Sequence, residues 1–257
     1  DQILIKWLVE RLVAEDTGAK LGELTIPQLC EKRSKMHFGA KAESRYQVLS
    51  SAYQMIQAGN YNCPDSFKDI LRQYQETDSG LDYEYRRFYS SYDQIEDTTG
   101  FEPLRDLVEN IYTNEYLETL LPKWNSTMQE PDAFTQLPLQ RDFYARIVKN
   151  AKERTVVIIS DAMRYEVGKE LFHRMQDDPK CSAKLEVQLS VLPSYTRLGM
   201  AALLPHTELT MTDDFKVLVD GLPCDNLSER KTILQKYNAD AVCVQFDSIK
   251  SLKVAEL

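Results

Sequence analysis

Two side chains in the second half of the chain, Asp161 and Thr196, have the types and positions that phosphate-ester chemistry uses. Asp161 directly follows a run of β-branched residues that predicts a buried strand, and Thr196 follows the next predicted strand and begins a helix. Carboxyl ends of neighbouring parallel strands meet at one edge of a sheet, which would bring the two residues together. A carboxylate there can hold a divalent cation, and a hydroxyl deprotonated by that cation can attack phosphorus. The helix N-terminus behind Thr196 would favour the negative phosphoryl group.

Spacing alone also fits a purely structural role for these residues. Asp161 could be the N-cap of the helix that follows it, and Thr196 or Ser194 could be the N-cap of the next. On spacing alone, the capping role is favoured for each residue.

The elements that would position these side chains alternate along the second half. The pattern predicts strands at 155–160, 184–192, 217–219 and 241–246, and helices at 163–175, 196–204 and 227–237. Strands that alternate with helices indicate an α/β sheet with helices on both sides.

The first half has a different pattern, with apolar residues at helical spacing almost throughout. It predicts helices at 2–14, 26–36, 42–58, 66–75, 82–95, 103–121 and 140–151. Pro122 is expected to end the sixth helix, and residues 125–138, with Pro131 and Asp132, have the composition of a linker. We therefore predict a helical region over residues 1–152 and an α/β domain over residues 153–257.

Charge and tyrosine content argue against a nucleic-acid-binding first half. Residues 1–150 contain 24 acidic and 17 basic residues, and residues 151–257 contain 16 and 14, so neither half has the basic surplus of a protein that binds a phosphate backbone by charge. Eleven of the fourteen tyrosines lie in residues 1–150. Their helical spacing in an acidic region favours packing between helices over an aromatic platform for bases.

Cysteine and hydropathy patterns bear on the compartment. The five cysteines are scattered and form no C-x-x-C pair, which indicates reduced thiols in a cytoplasmic protein. No stretch reaches the roughly 18 apolar residues that a membrane span needs. No secretory leader is visible, although Asp1 is not a start residue and a signal upstream of it stays open.

Two motifs in the second half resemble a known family. The segment V-I-I-S-D-A-M-R-Y-E at 157–166 resembles the first motif of PglZ-domain proteins, a hydrophobic strand that ends in S-D-A-[LM]-R-Y-E. The segment V-L-P-S-Y-T-R-L-G-M-A-A-L-L-P-H at 191–206 resembles their second motif, and V-L-V-D-G at 217–221 resembles the segment that follows it. The second motif is long and unusual, which makes a chance match a poor explanation. The resemblance covers roughly residues 154–257.

PglZ-domain proteins are components of BREX-type bacterial phage-defence systems and belong to the alkaline phosphatase superfamily. The resemblance implies an α/β/α fold and a metal-dependent phosphatase or phosphodiesterase that uses zinc. By position, Asp161 matches the first metal ligand, and Thr196 matches the nucleophile that also contacts metal. Arg164 and Arg197 are candidate substrate-binding residues, although Arg164 could instead pair with Glu170 across a helix turn. The implied partners are other phage-defence proteins, with nucleic acid or a nucleotide as a candidate substrate and no membrane.

The chain departs from the family pattern in its later ligands. The superfamily's further His and Asp ligands belong to later motifs, which do not occur before Leu257, and the chain has three histidines: His37, His173 and His206. His206 lies in the second motif, where capping a loop and binding a metal are both open to it. Two ligands cannot complete a four-coordinate zinc site. We therefore expect a fragment of a longer protein that is inactive alone and holds no metal stably.

Three functions remain open from the sequence. The first is a metal-dependent hydrolase of phosphate esters in the parent protein, acting through a phosphorylated Thr196. The second is a non-catalytic interaction or scaffold module, whose acidic helical half docks onto other defence-complex subunits. The third is a degenerate domain with a structural role. Intact Asp161 and Thr196 favour the first.

Overall fold

The described part of the first half begins with three α-helices and one short pair of strands. In the computed structural model, which describes residues 1–37, 39–129, 135 and 137–251, α1 spans Gln2–Val13 and α3 spans Glu43–Gln57. Between them lie a short antiparallel pair, β1 (Lys20–Leu21) and β2 (Leu24–Thr25), and helix α2 (Ile26–Ser34). Thr25 and Gln28 form a capping box at the start of α2, in which the backbone N–H of Thr25 donates to Gln28 Oε1 at 3.0 Å. These three helices confirm the predicted ones within two residues at each end.

Four further α-helices follow in the described residues of the first half, and two π-helical turns lie between them. They are α4 (Phe67–Gln73), a π turn (Tyr74–Asp78), α5 (Ser79–Tyr92), α6 (Glu102–Asn110), a π turn (Ile111–Leu117) and α7 (Glu118–Thr127). The prediction that Pro122 ends its helix is wrong, because α7 continues to Thr127. A proline costs one backbone hydrogen bond, yet Trp124 stacks on Phe67 at 5.2 Å between ring centroids and holds the next turn in place. Of the predicted linker, residues 130–134 and 136 lie outside the described residues.

By their internal contacts, the described residues form two compact units. The first falls within residues 1–133 and 164–183, and the second within residues 134–163 and 184–257. The core of the first unit is formed by the inner faces of its helices, and its largest fully buried side chains include Leu8, Tyr46, Leu49, Phe88, Leu104 and Tyr116. Its last helix is α8 (Tyr165–Gln176). The predicted domain boundary at residue 152 stays a prediction.

The second unit is built on a small antiparallel sheet. Strands β3 (Leu209–Met211), β4 (Val217–Val219) and β5 (Leu222–Pro223) form a meander with β4 in the middle. Helices α9 (Thr196–Ala202), α10 (Leu227–Gln235) and α11 (Phe246–Ile249) belong to the same unit. Its core comprises Ala201, Leu204, Val217, Val219, Cys224 and Ile233. The chain is thus mostly helical with small sheets, which confirms the expected α/β class.

Three of the predicted strands do not form regular strands among the described residues. Segment 155–160 is exposed along its length, with Val156 72% and Ile158 81% exposed, and 241–246 is likewise unpaired before α11. Segment 184–192 shows only one parallel bridge, between Leu139 and Leu189, although its burial alternates with the two-residue period of a strand. A strand exists only with a hydrogen-bonded neighbour, and these segments find no ladder in the described part of the chain.

The predicted helix at 140–151 is also replaced by shorter turns. A 3₁₀ turn spans Gln140–Asp142 and a π turn spans Tyr144–Val148. The backbone N–H of Gln140 donates to the carbonyl of Leu189 at 2.8 Å, and its side-chain amide donates to the carbonyl of Gly199 at 3.2 Å. These tertiary bonds hold the start of the segment away from a regular α-helical ladder.

Candidate functional site

Thr196 is the first residue of α9, a helix set into the core of the second unit. The helix is held by Ala201 and Ala202, which are fully buried, while Thr196 is exposed. Tyr195 occupies the N-cap position in an extended conformation without a side-chain capping bond. Neither Thr196 nor Ser194 is therefore the cap, and within the described residues the Thr196 hydroxyl has no hydrogen-bond partner. An unengaged hydroxyl at a helix start is available for chemistry.

Asp161 lies in a turn between the exposed segment 155–160 and helix α8. Its carboxylate Oδ1 accepts a hydrogen bond from the backbone N–H of Ala162 at 3.0 Å, and Ala162 has a φ of 55°. The N-cap of α8 is Arg164, three residues later, so the capping role for Asp161 is also excluded. Asp161 and Thr196 both belong to the second unit, and no hydrogen bond joins them in the described structure.

The two candidate substrate-binding arginines have different settings. Arg164 caps α8 through its backbone and is exposed. The alternative that Arg164 pairs with Glu170 is wrong, because Glu170 binds Arg86 at 3.0 Å and Arg174 at 2.6 Å. These guanidiniums, Arg86 foremost, lower the pKa of Glu170. Arg197 lies 3.7 Å from the carboxylate of Asp225 with half of its side chain exposed, which is a weak pair. A substrate role for Arg164 and Arg197 stays a prediction.

Within the described residues, no group of three His, Cys, Asp or Glu side chains is arranged to hold a metal ion. His206 places its Nδ1 2.7 Å from the carbonyl oxygen of Leu204, which closes the loop after α9. His173 is exposed on α8, and its ring centroid lies 5.8 Å from that of Phe172. The described residues of this chain therefore do not by themselves fit a zinc site, which needs four ligands.

One residue of the first motif, Glu166, is buried, although glutamate side chains are mostly exposed. Glu166, the second residue of α8, is 2% exposed, and neither carboxylate oxygen has a hydrogen-bond partner in the described structure. Its nearest counter-charge is Arg86, whose Nε lies 3.6 Å from Oε1. The sequence offered no signal for this pair, because the two residues are 80 positions apart.

No helix in the described part of the chain is long and apolar enough to cross a bilayer.

Comparison with known proteins identifies the family. Residues 141–257 match the family described as the BREX system PglZ alkaline phosphatase-like domain. The chain is 36% identical over 236 residues to the alkaline phosphatase-like protein PglZ of Bacillus cereus, covering 88% of this chain and 28% of that protein. It is 32% identical over 264 residues to the alkaline phosphatase-like protein BrxZ of Escherichia coli, covering 94% of this chain and 30% of that protein. No solved structure matches it significantly.

These relatives extend well beyond the region shared with this chain, which spans less than a third of the length of either. The similarity nevertheless continues through nearly all of this chain, including its helical first half, and the family match covers both motifs around Asp161 and Thr196. Residues 141–257 therefore form a PglZ domain of the BREX alkaline phosphatase-like type, and the chain as a whole is similar to the proteins named PglZ and BrxZ.

Proposed function

We propose that this chain contributes the nucleophile and one metal ligand of a phosphoester hydrolase, with Thr196 as the nucleophile and Asp161 as the ligand. The observation that carries the proposal is the state of Thr196: its hydroxyl is exposed, unbonded within the described structure and placed at the start of a core-anchored helix. The PglZ domain match supports the reaction class, since the relatives are named alkaline phosphatase-like.

The rest of the centre is proposed to lie in parts of a longer protein. The relatives are more than three times as long as the shared region, and the described residues of this chain do not fit a metal site by themselves. Asp161 would be one carboxylate ligand of a divalent cation, with zinc the first choice. The chain alone is accordingly expected to be inactive.

The chemistry of this chain's own residues can be followed at Thr196. Its Oγ attacks phosphorus, an Oγ–P bond forms, and the bond from phosphorus to the ester oxygen breaks while the leaving alcohol takes up the proton. Water then hydrolyses the phosphothreonine and restores the hydroxyl. The backbone N–H groups in the first turn of α9 have no intrahelical partners, and a helix start of this kind would favour a negative phosphoryl group electrostatically.

The test is hydrolysis of a generic phosphomonoester and a generic phosphodiester by the zinc-loaded full-length protein. Thr196→Ala should lower kcat at least about a thousandfold, because it removes the hydroxyl that would form the Oγ–P bond. Thr196→Ser keeps a hydroxyl at the same atom position and is the matched control that should retain most activity. Normal turnover by Thr196→Ala would show that the nucleophile is wrongly assigned.

A second candidate function is an interaction module for other BREX-system proteins. It is favoured by the acidic first half, with 24 acidic against 17 basic residues, which suits a basic protein surface better than a nucleic acid. A nucleic acid or nucleotide substrate is part of the first proposal only. A cytoplasmic location is proposed with either function, and it is supported by the five cysteines, all of which are free.

A further inference from the structure

The buried carboxylate of Glu166 needs a counter-charge, and the structure provides Arg86. Burying an ionised carboxylate is costly unless a cation or hydrogen-bond donors compensate for the lost water. Glu166 is 2% exposed, and the Arg86 Nε atom 3.6 Å from its Oε1 is also buried without a hydrogen-bond partner in the described structure. Glu166 also lies in the first turn of α8, where a negative charge is favoured by the helix dipole.

The same guanidinium reaches the next turn of α8. Arg86 Nη2 donates to Glu170 Oε2 at 3.0 Å, and Glu170 lies four residues after Glu166 on the same helix face. One arginine of α5 thus serves two carboxylates of α8. Lys169, beside them, donates to the carbonyl of Gln75 at 2.6 Å and to Ser79 Oγ at 3.2 Å. Charged contacts therefore fasten the first two turns of α8 to α5 and the π turn before it.

The fastened turn adjoins the proposed metal ligand in the chain. Asp161 precedes the first residue of α8 by four positions, and a connection of four residues spans at most about 14 Å when fully extended. Ala162 in this connection has a φ of 55°, which is uncommon for a non-glycine residue. Loosening the first turn of α8 would therefore loosen the turn that carries Asp161.

We infer that Arg86 is a positioning residue for the proposed hydrolase, acting through Glu166 and Glu170 to hold the start of α8 and the connection after Asp161. The inference rests on the proposed function for its catalytic consequence, whereas the anchoring itself can be measured separately. It also assigns Glu166 of the first motif an anchoring role in place of a direct part in the reaction.

Hydrogen exchange in the 257-residue chain tests the anchor directly. Arg86→Gln should make the amides of residues 162–168 exchange at least about tenfold faster, because local opening no longer breaks the ion pairs. Arg87→Gln is the matched control, since Arg87 is on the same helix, has a similar exposed fraction and pairs with Glu84 instead of α8. Arg86→Lys should recover part of the protection. In the Glu166→Gln background, Arg86→Gln should add less than it does alone.

Turnover in the zinc-loaded full-length protein provides the second measurement. Arg86→Gln should lower kcat about tenfold or more with little change in KM, while Arg87→Gln leaves both unchanged. Equal exchange rates in Arg86→Gln and Arg87→Gln would overturn the anchor. Faster exchange with normal turnover would overturn the positioning role. A wild-type protein that hydrolyses neither ester would instead refute the proposed function, and the exchange rates would still decide the anchor.

Discussion

At the scale of single residues, Asp220 shows how one carboxylate holds a turn of the second unit. Its Oδ1 accepts hydrogen bonds from the backbone N–H groups of Thr207 at 2.9 Å and Glu208 at 2.8 Å. Asp220 has a φ of 48°, which Asp tolerates better than most residues. These backbone hydrogen bonds, with Glu208 contributing most, lower the pKa of Asp220 from its ordinary value of 3.8.

Asp220→Ala should lower the free energy of unfolding by about 1 kcal/mol at neutral pH, because two backbone donors lose a charged acceptor in a solvent-exposed setting. Since the folded pKa is lowered, the stabilisation is fully present above pH 3.8 and is lost as the pH falls through the folded value. Urea denaturation of wild type and Asp220→Ala at neutral and acid pH measures this. Asp213→Ala, a nearby exposed control, should be nearly neutral. A loss of stability that stays constant down to the lowest pH would contradict the argument.

At the scale of elements, tyrosine–carboxylate contacts join the helices of the first unit. Tyr85 and Tyr89 of α5 both donate to Glu109 of α6, and the ring of Tyr85 stacks on Tyr112 with 3.7 Å between centroids. The prediction that the tyrosines pack between helices is confirmed for this group. Burial and the Glu109 carboxylate together raise the pKa of Tyr85 to about 12.

Glu109→Gln should therefore lower the pKa of Tyr85 toward its ordinary value of 10, because the amide removes the negative charge beside the phenol. Because the pKa of Tyr85 is raised in the folded state, its contribution to the free energy of unfolding is fully present below pH 10. That contribution is lost as the pH rises through about 12. Ring-carbon NMR of labelled tyrosine, with Tyr85→Phe to assign the signal, measures the titration. Glu118→Gln, on exposed α7 surface, serves as control and should not move the signal. An unchanged pKa in Glu109→Gln would assign the shift to burial alone.

At the scale of the whole molecule, the two units differ in how fully their apolar residues are covered. The helical unit closes a large core, whereas the second unit leaves Val156, Ile158, Val242 and Phe246 each at least 66% exposed. These residues belong to segments with strand-like sequences that lack ladder partners in the described structure. The chain spans less than a third of its relatives' length, so we propose that further segments of a longer protein pair with them.

Backbone exchange at residues 155–160 tests this proposal. These amides should exchange at nearly the rate of an unstructured peptide in the 257-residue chain, because nothing in the described structure pairs with them. In the full-length protein they should be protected at least about a hundredfold, as expected of a strand inside a sheet. The antiparallel strand β4 is the internal reference and should be protected in both. Equal rates at 155–160 in the two proteins would mean that no further segment pairs there.

Local sequence patterns were sufficient for several helices and for the family motifs. The capping box of Thr25 with Gln28 and the apolar stripe of α1 lie within a few residues of each other, so the nearby chain specifies them. Strand β4 and the Asp220–Gly221 turn directly after it are also specified by neighbouring residues of the chain. The motifs around Asp161 and Thr196 are likewise contiguous, and the family they indicated is the one found.

Tertiary structure alone decided the features that depend on distant partners. Segment 155–160 has the composition of a buried strand, but strand formation requires a neighbour that composition does not specify. The helix through Pro122 persists because Trp124 packs on Phe67, and the turns after Gln140 follow from its bonds to Leu189 and Gly199. The burial of Glu166 against Arg86 joins residues 80 positions apart. Periodicity describes a residue's immediate neighbours along the chain, whereas pairing and burial depend on which remote groups the folded chain brings within a few ångströms.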